Sequence, residues 1–156
     1  MKHKAFAALA VLSFTVFQAN AQELKNTQWK AYGVSFKAPS DISIEDDSEE
    51  GYVVYNDTYY ITVQILSGEG IKRAELATEL KNIATEDEVT EQTPVTTFEL
   101  PQFYGVQLQG ACDTDRCIYS YLLTRDGGSG FYVSIVYKQE NDPNPERILR
   151  SFTLDD

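Results

Sequence analysis

The sequence predicts an α+β fold, a largely antiparallel β-sheet with helices packed on it. Most of the chain after residue 28 alternates apolar and polar residues at period two, in short runs separated by turn residues. One stretch, about 72–86, instead repeats its apolar residues at helical spacing, and Asn144-Pro145 is typical of the start of a second helix. Tight turns between neighbouring strands favour antiparallel pairing.

The amino terminus predicts a signal peptide over residues 1–21. Lys2 and Lys4 precede an apolar run of 13 residues, and Ala19-Asn20-Ala21 is typical of a cleavage site. An uncleaved membrane anchor is the alternative, but the run is well short of the ~20 residues that a spanning helix needs. No cysteine stands at the predicted junction, so no lipid anchor is expected. We therefore expect a periplasmic or secreted product without a membrane anchor after cleavage.

Cleavage would leave 135 residues, enough for one domain with a hydrophobic core. We expect a flexible polar segment over 22–28 and a single α+β domain over 29–156. Loss of Lys2 and Lys4 would change the formal net charge from −11 to −13. Such a charge repels phosphate backbones, which argues against nucleic acid as a partner. It favours cations or basic proteins, or serves only to keep an exported protein soluble.

The chain's single histidine is His3, inside the predicted signal peptide. The expected product therefore lacks the residue on which Ser-His-Asp and Cys-His catalysis depend, and it has no histidine to ligate zinc. Paired carboxylates remain a theoretical route to glycoside hydrolysis, but no recognisable pattern marks a pair. We expect a protein that is not an enzyme and needs no cofactor or metal.

Short strands are predicted on both sides of the first helix. Tyr32, Val34 and Phe36 share one face of a strand from residue 29, and a short strand at Ile42 and Ile44 follows. The remaining predicted strands cover 52–55, 59–66, 93–100, 103–111, 117–124 and 131–138. Asn56-Asp57-Thr58 is the turn of the hairpin between the first two of these ranges. In the predicted helix, Leu76, Leu80 and Ile83 form the apolar side.

Several short motifs resemble the PsbP-like and Mog1-like domains. The segment Tyr32-Gly33-Val34-Ser35-Phe36-Lys37-Ala38-Pro39 is similar to the opening of those domains, and Ile148-Leu149-Arg150-Ser151-Phe152 is similar to their ending. A hairpin, one helix, a strand with Tyr104-Gly105-Val106 and a meander lie between them. The resemblance implies an antiparallel sheet sandwiched by helices and a role in binding or assembly without catalysis. The family includes photosystem II extrinsic subunits, a partner of the Ran GTPase, and bacterial lipoproteins, whose anchoring cysteine this chain lacks.

Cys112 and Cys117 bracket a turn where two predicted strands meet. In an oxidising compartment, an even pair across a turn favours a structural disulfide. A redox pair is the alternative, but the spacing is not Cys-x-x-Cys. Closing so small a loop contributes about 2 kcal/mol in the chain-entropy model.

The acidic turn from Asp46 to Glu50, followed by Gly51, partly mimics a calcium loop. Calcium requires six to eight oxygen ligands, and an EF-hand loop needs flanking helices and a final glutamate. Strands flank this turn, and Asp57 stands where that glutamate would be. We interpret the segment as a solvated hairpin turn, with calcium binding left open.

Tyrosines are concentrated in the predicted sheet. Alternation places Tyr60 on one side of its strand, and it gives Tyr119 and Tyr121 a common side, as it does Tyr132 and Ser134. If these sides align, Tyr60, Tyr119, Tyr121 and Tyr132 form a binding surface, since tyrosine offers a large apolar ring with a hydrogen-bonding tip. Ordinary β-propensity of aromatic residues is the competing interpretation.

These observations predict an exported, non-catalytic binding or assembly module whose partner is a protein or a small ligand. The alternative is a small acidic inhibitor or immunity-type protein that acts on a basic enzyme in the periplasm. The sequence itself does not identify the partner.

Overall fold

A computed structural model describes residues 23–66 and 72–155 of the chain, so the predicted signal peptide lies outside the described residues. In these ranges there are ten strands and two helices. The strands are β1 Leu24–Trp29, β2 Val34–Pro39, β3 Ser43–Asp47, β4 Tyr52–Tyr55, β5 Tyr59–Ile65, β6 Thr96–Leu100, β7 Phe103–Cys112, β8 Asp115–Thr124, β9 Gly130–Tyr137 and β10 Thr153–Leu154. The helices are α1 Arg73–Glu86 and α2 Asn144–Leu149. The predicted fold class, an antiparallel sheet with helices packed on it, is confirmed.

Seven strands form the larger sheet, in the order β3-β4-β5-β9-β8-β7-β6. Every neighbouring pair is antiparallel, as the short hairpin turns predict. The β3–β4–β5 hairpins and the β6–β9 meander are joined in the middle, where Ile61 of β5 stands opposite Ile135 of β9. Strand β3 and strand β6 are the two edges of this sheet.

A second, three-stranded sheet has the order β1-β2-β10. It corrects the predicted flexible segment over 22–28 from residue 24 onward, because β1 pairs with the whole of β2 and ends at Trp29, which is fully buried. The predicted strand that begins at residue 29 is interrupted by a turn in which Gly33 has a φ of +63°, a conformation that favours glycine. Polar residues outnumber apolar ones in β1, so period-two alternation is hard to see there.

Two hydrophobic layers lie on opposite faces of the larger sheet. The first layer contains Trp29 of β1 and Phe36 of β2. It also contains Ile148 and Leu149 of α2, and Phe152, which lies between α2 and β10. Phe36 and Phe152 stack with ring centroids 4.6 Å apart. The smaller sheet and α2 therefore share one face of the larger sheet.

Helix α1 packs on the opposite face, against β7 and β8. Its buried residues are Leu76, Leu80 and Ala84, which agrees with the predicted apolar side. The segment after α1 also lies close to β7, since a Cβ at Gly110 would stand 2.7 Å from the carbonyl oxygen of Thr90. Within the described ranges, neither helix is long and apolar enough to cross a membrane.

Candidate functional site

The structure places Tyr60, Tyr119, Tyr121 and Tyr132 on the same face of the larger sheet. Tyr121 stands opposite Tyr132 in the β8–β9 pair. Tyr132 in turn stands opposite Gln64, which alternation places on the same side of β5 as Tyr60. The common face that the sequence predicts is therefore present.

Helix α1 covers three of these four tyrosines. Tyr119, Tyr121 and Tyr132 are 7, 7 and 9% exposed, and they belong to the same hydrophobic cluster as Leu76 and Leu80. Ring centroids lie 5.8 Å apart between Tyr119 and Tyr132 and 6.1 Å apart between Tyr121 and Tyr132. The expectation of an accessible surface is thus corrected for these three residues, because alternation shows which face a side chain occupies and not what covers it.

Carboxylates of α1, and of Asp87 directly after it, lie near the covered tyrosines. The hydroxyl of Tyr119 donates a hydrogen bond to the Asp87 carboxylate at 2.6 Å. Burial, followed by this bond, raises the pKa of Tyr119 well above its usual value. Burial and the nearby negative charges, Glu79 first among the carboxylates, raise the pKa of Tyr121 to about 12. In the folded protein these phenols stay neutral to a higher pH.

The raised pKa values predict a loss of stability in alkali. An unfolded tyrosine releases its proton near pH 10, whereas folded Tyr119 still holds it, so the free energy of unfolding is unchanged below that pH and falls as the pH rises above it. We expect Tyr119→Phe to make this decline shallower. Urea unfolding between pH 8 and 11.5 measures it, and identical slopes for the two proteins would contradict the assignment.

Tyr60 remains accessible at the other end of the same face. It is 39% exposed and stacks on Tyr55, also 39% exposed, with ring centroids 6.1 Å apart. Tyr55 and Tyr60 stand opposite each other across the β4–β5 hairpin. Sequence reasoning missed Tyr55, which the register of the β4–β5 hairpin places opposite Tyr60.

We call the accessible part of this face the open face and define it by Tyr55, Tyr60, Thr62 and Gln64. Val53 stands opposite Thr62, next to the tyrosine pair. Exposed tyrosine rings on a rigid sheet offer a large contact area whose ordering costs little conformational entropy. The open face can therefore bind a partner without rearrangement of the fold.

Acidic residues of the edge strand β3 border the open face on one side. The Tyr60 hydroxyl donates a hydrogen bond to Glu45 of the edge strand β3, and this bond, ahead of burial, raises the pKa of Tyr60 to about 12. Asp46 and Asp47 follow Glu45 on β3. The bond to Glu45 fixes the Tyr60 ring at a negatively charged edge of the sheet.

A pocket of about 330 Å³ adjoins the tyrosine pair, and we call it the hairpin pocket. Its lining includes Tyr60 and Val136 on the sheet, Asp57 and Thr58 from the hairpin turn, and an ion pair between Lys138 and Asp115 with a nitrogen–oxygen distance of 3.2 Å. The turn itself is held by Asn56, whose side-chain oxygen accepts from the backbone N–H groups of Thr58 and Tyr59. Asp57 is exposed at the tip of this turn.

A second pocket, of about 450 Å³, lies at the opposite end of the sheets around Tyr32 and Phe131. Polar side chains at its rim bond to the protein itself. Arg125 donates to Glu99 at 2.7 Å, and Gln102 bonds to both the N–H and the carbonyl of Leu154. These polar groups are therefore already paired within the protein.

The two cysteines and the acidic turn lie where the sequence places them. Cys112 and Cys117 are joined across the β7–β8 hairpin, with Cα atoms 5.9 Å apart. Asp46 and Asp47 end β3, and the turn to β4 that follows them is closed by a hydrogen bond from the Ser48 N–H to the Gly51 carbonyl. In residues 23–66 and 72–155, no three His, Cys, Asp or Glu side chains are grouped so that they could hold a metal ion.

The chain has an α+β fold of Mog1-like architecture, as comparison with solved structures shows. The Ran-binding protein Mog1p of Saccharomyces cerevisiae matches with a TM-score of 0.59 at 9% identity, over 87% of this chain and 97% of Mog1p. A point mutant of Mog1 matches with a TM-score of 0.56 at 10% identity, over 86% of this chain and 97% of that one. A protein of Bacteroides thetaiotaomicron matches with a TM-score of 0.51 at 11% identity, over 86% of this chain and 49% of that one. The resemblance to the PsbP-like and Mog1-like domains is confirmed at the level of the fold.

The chain belongs to the dihydro-orotase-like family, whose model matches residues 7–141. None of the curated protein sequences matches the chain significantly.

Proposed function

We propose that the chain is an exported, non-catalytic module that binds a protein with a basic surface through the open face. The observation that carries this proposal is the stacked, accessible pair Tyr55–Tyr60 on the larger sheet. Glu45 and Asp46 beside it, and a formal net charge of −11, favour a partner of opposite charge. The Mog1-like fold supports a binding role, since one solved relative is described as a Ran-binding protein.

Export is supported by the signal-like pattern at residues 1–21 and by the Cys112–Cys117 bond, which suits an oxidising compartment. The same setting accommodates either an assembly role or inhibition of a basic enzyme, since both need the same acidic aromatic surface.

Photo-cross-linking at the open face tests the binding role. We expect a benzoylphenylalanine at position 60 to give one discrete protein adduct in cells that export the chain, because position 60 lies at the centre of the proposed contact. The same cross-linker at Glu75, which is exposed in the first turn of α1, is the matched control and should give none. No adduct at position 60, or the same adduct at both positions, would contradict the proposal.

Because the family is described as dihydro-orotase-like, hydrolysis of dihydro-orotate is the reaction with which to test whether the chain is non-catalytic. We expect the purified protein not to hydrolyse dihydro-orotate, with or without added Zn²⁺, because the expected product lacks histidine and shows no paired-carboxylate pattern. Absorbance of the substrate over hours, beside a dihydro-orotase as positive control, measures this. Turnover that co-purifies with the protein and disappears on a single substitution would overturn the claim.

A further inference from the structure

We propose that the hairpin pocket receives an arginine or lysine side chain of the partner. This inference rests on the proposed function and identifies the group that the open face would recognise. The pocket adjoins Tyr60, so a partner segment lying on the tyrosine pair reaches it without leaving the sheet. Its volume of about 330 Å³ has room for one long side chain.

The lining of the pocket suits a cation. Asp57 and Asp115 supply two carboxylates, Thr58 supplies a hydroxyl, and the Tyr60 ring supplies an aromatic surface for a cation–π contact. Val136 gives the aliphatic stem of the side chain an apolar contact. An acidic side chain would meet like charges at the same place.

Lys138 gives this inference a specific consequence. Its ammonium group is 3.2 Å from Asp115, so the protein's own cation already occupies one of the two carboxylates. A ligand's basic group must share Asp115 with Lys138 or displace it. Removal of the Lys138 charge should therefore strengthen the binding of a basic ligand, whereas removal of the Asp57 charge should weaken it.

Asp57 can be changed without loss of the turn. The backbone of the turn is held by the Asn56 side chain. Asp57→Asn keeps the size of the side chain and removes only its charge. Glu75→Gln removes one exposed negative charge from α1 and is the matched control for Asp57→Asn. Lys81→Gln removes one exposed positive charge from α1 and is the matched control for Lys138→Gln.

The test uses the exported protein, labelled with ¹⁵N, and three capped tetrapeptides that differ only in two side chains: arginine, lysine or glutamate. We expect the arginine and lysine peptides, and not the glutamate peptide, to shift the backbone signals of Thr58 and Val136. Asp57→Asn should weaken arginine-peptide binding about fivefold, the scale of an exposed ion pair. Lys138→Gln should strengthen it about threefold on the same scale. Both effects should fade in 0.5 M salt.

Equal effects of Asp57→Asn and Glu75→Gln, equal effects of Lys138→Gln and Lys81→Gln, or shifts away from the hairpin pocket would overturn this inference. The two proposals fail separately. A discrete adduct at position 60 without peptide binding would contradict only the proposal that the hairpin pocket receives a basic side chain. Peptide binding without an adduct would contradict the proposal of a protein partner.

Discussion

Trp29→Ala should lower the free energy of unfolding by about 3–5 kcal/mol, the range for truncating a large buried aromatic residue. The Trp29 side chain is fully buried between the two sheets, and its ring centroid is 4.6 Å from that of Tyr32 and 6.3 Å from that of Phe131. Its indole N–H donates to the Ser48 carbonyl at 2.7 Å, which ties the end of β1 to the β3–β4 turn. Urea unfolding followed by circular dichroism measures the loss, since the variant lacks the chain's single tryptophan.

The neighbouring Lys30 gives the matched control for this prediction. Lys30 is exposed, so Lys30→Ala should change stability by no more than about 0.5 kcal/mol. If Trp29→Ala were as mild as Lys30→Ala, β1 would not be part of the core and the chain before Trp29 would behave as the flexible segment that the sequence predicts.

Leu80→Ala should cost about 2–5 kcal/mol, because a fully buried leucine leaves a cavity between α1 and the sheet. Leu80 packs in the cluster that contains Tyr119, Tyr121 and Tyr132. Leu80→Met conserves volume and should cost less than about 1.5 kcal/mol. Chemical unfolding monitored by circular dichroism measures both variants.

The same variant separates the covered tyrosines from the open face. Below its unfolding temperature, Leu80→Ala should still give the adduct from position 60, because Tyr60 is held by its stacking on Tyr55 and its bond to Glu45. Loss of that adduct in the folded Leu80→Ala protein would mean that the partner contacts the α1 side, and the binding surface would have to be moved there.

Local patterns in the sequence predicted most of the larger sheet and α1. The helical spacing of Leu76 and Leu80 predicted α1, and the turn residues predicted the β4–β5 hairpin. Both signals are local, because they come from residues that are close together in the sequence. Strands β1 and β10 could not be predicted in this way. β1 is mostly polar, so it shows no clear alternation, and β10 has only two residues and depends on pairing with β2, which is distant in sequence.

The candidate site shows the same limit. Alternation along the strands placed Tyr60, Tyr119, Tyr121 and Tyr132 on one face, but their exposure depends on how α1 crosses that face, which is a tertiary contact. Tyr55 was missed because cross-strand register, rather than its own strand, brings it to Tyr60. The hairpin pocket joins side chains that are far apart in sequence, such as Asp57 and Lys138.

Hydroxyl-radical footprinting tests the central claim, that the open face is the contact surface, most directly. The protein would be oxidised alone and in complex with the partner that it binds in the exporting cells. We predict that binding protects the accessible rings of Tyr55 and Tyr60 and leaves the already buried Tyr119 and Tyr121 unchanged. Full reactivity of Tyr55 and Tyr60 in a complex that protects residues elsewhere would contradict the account.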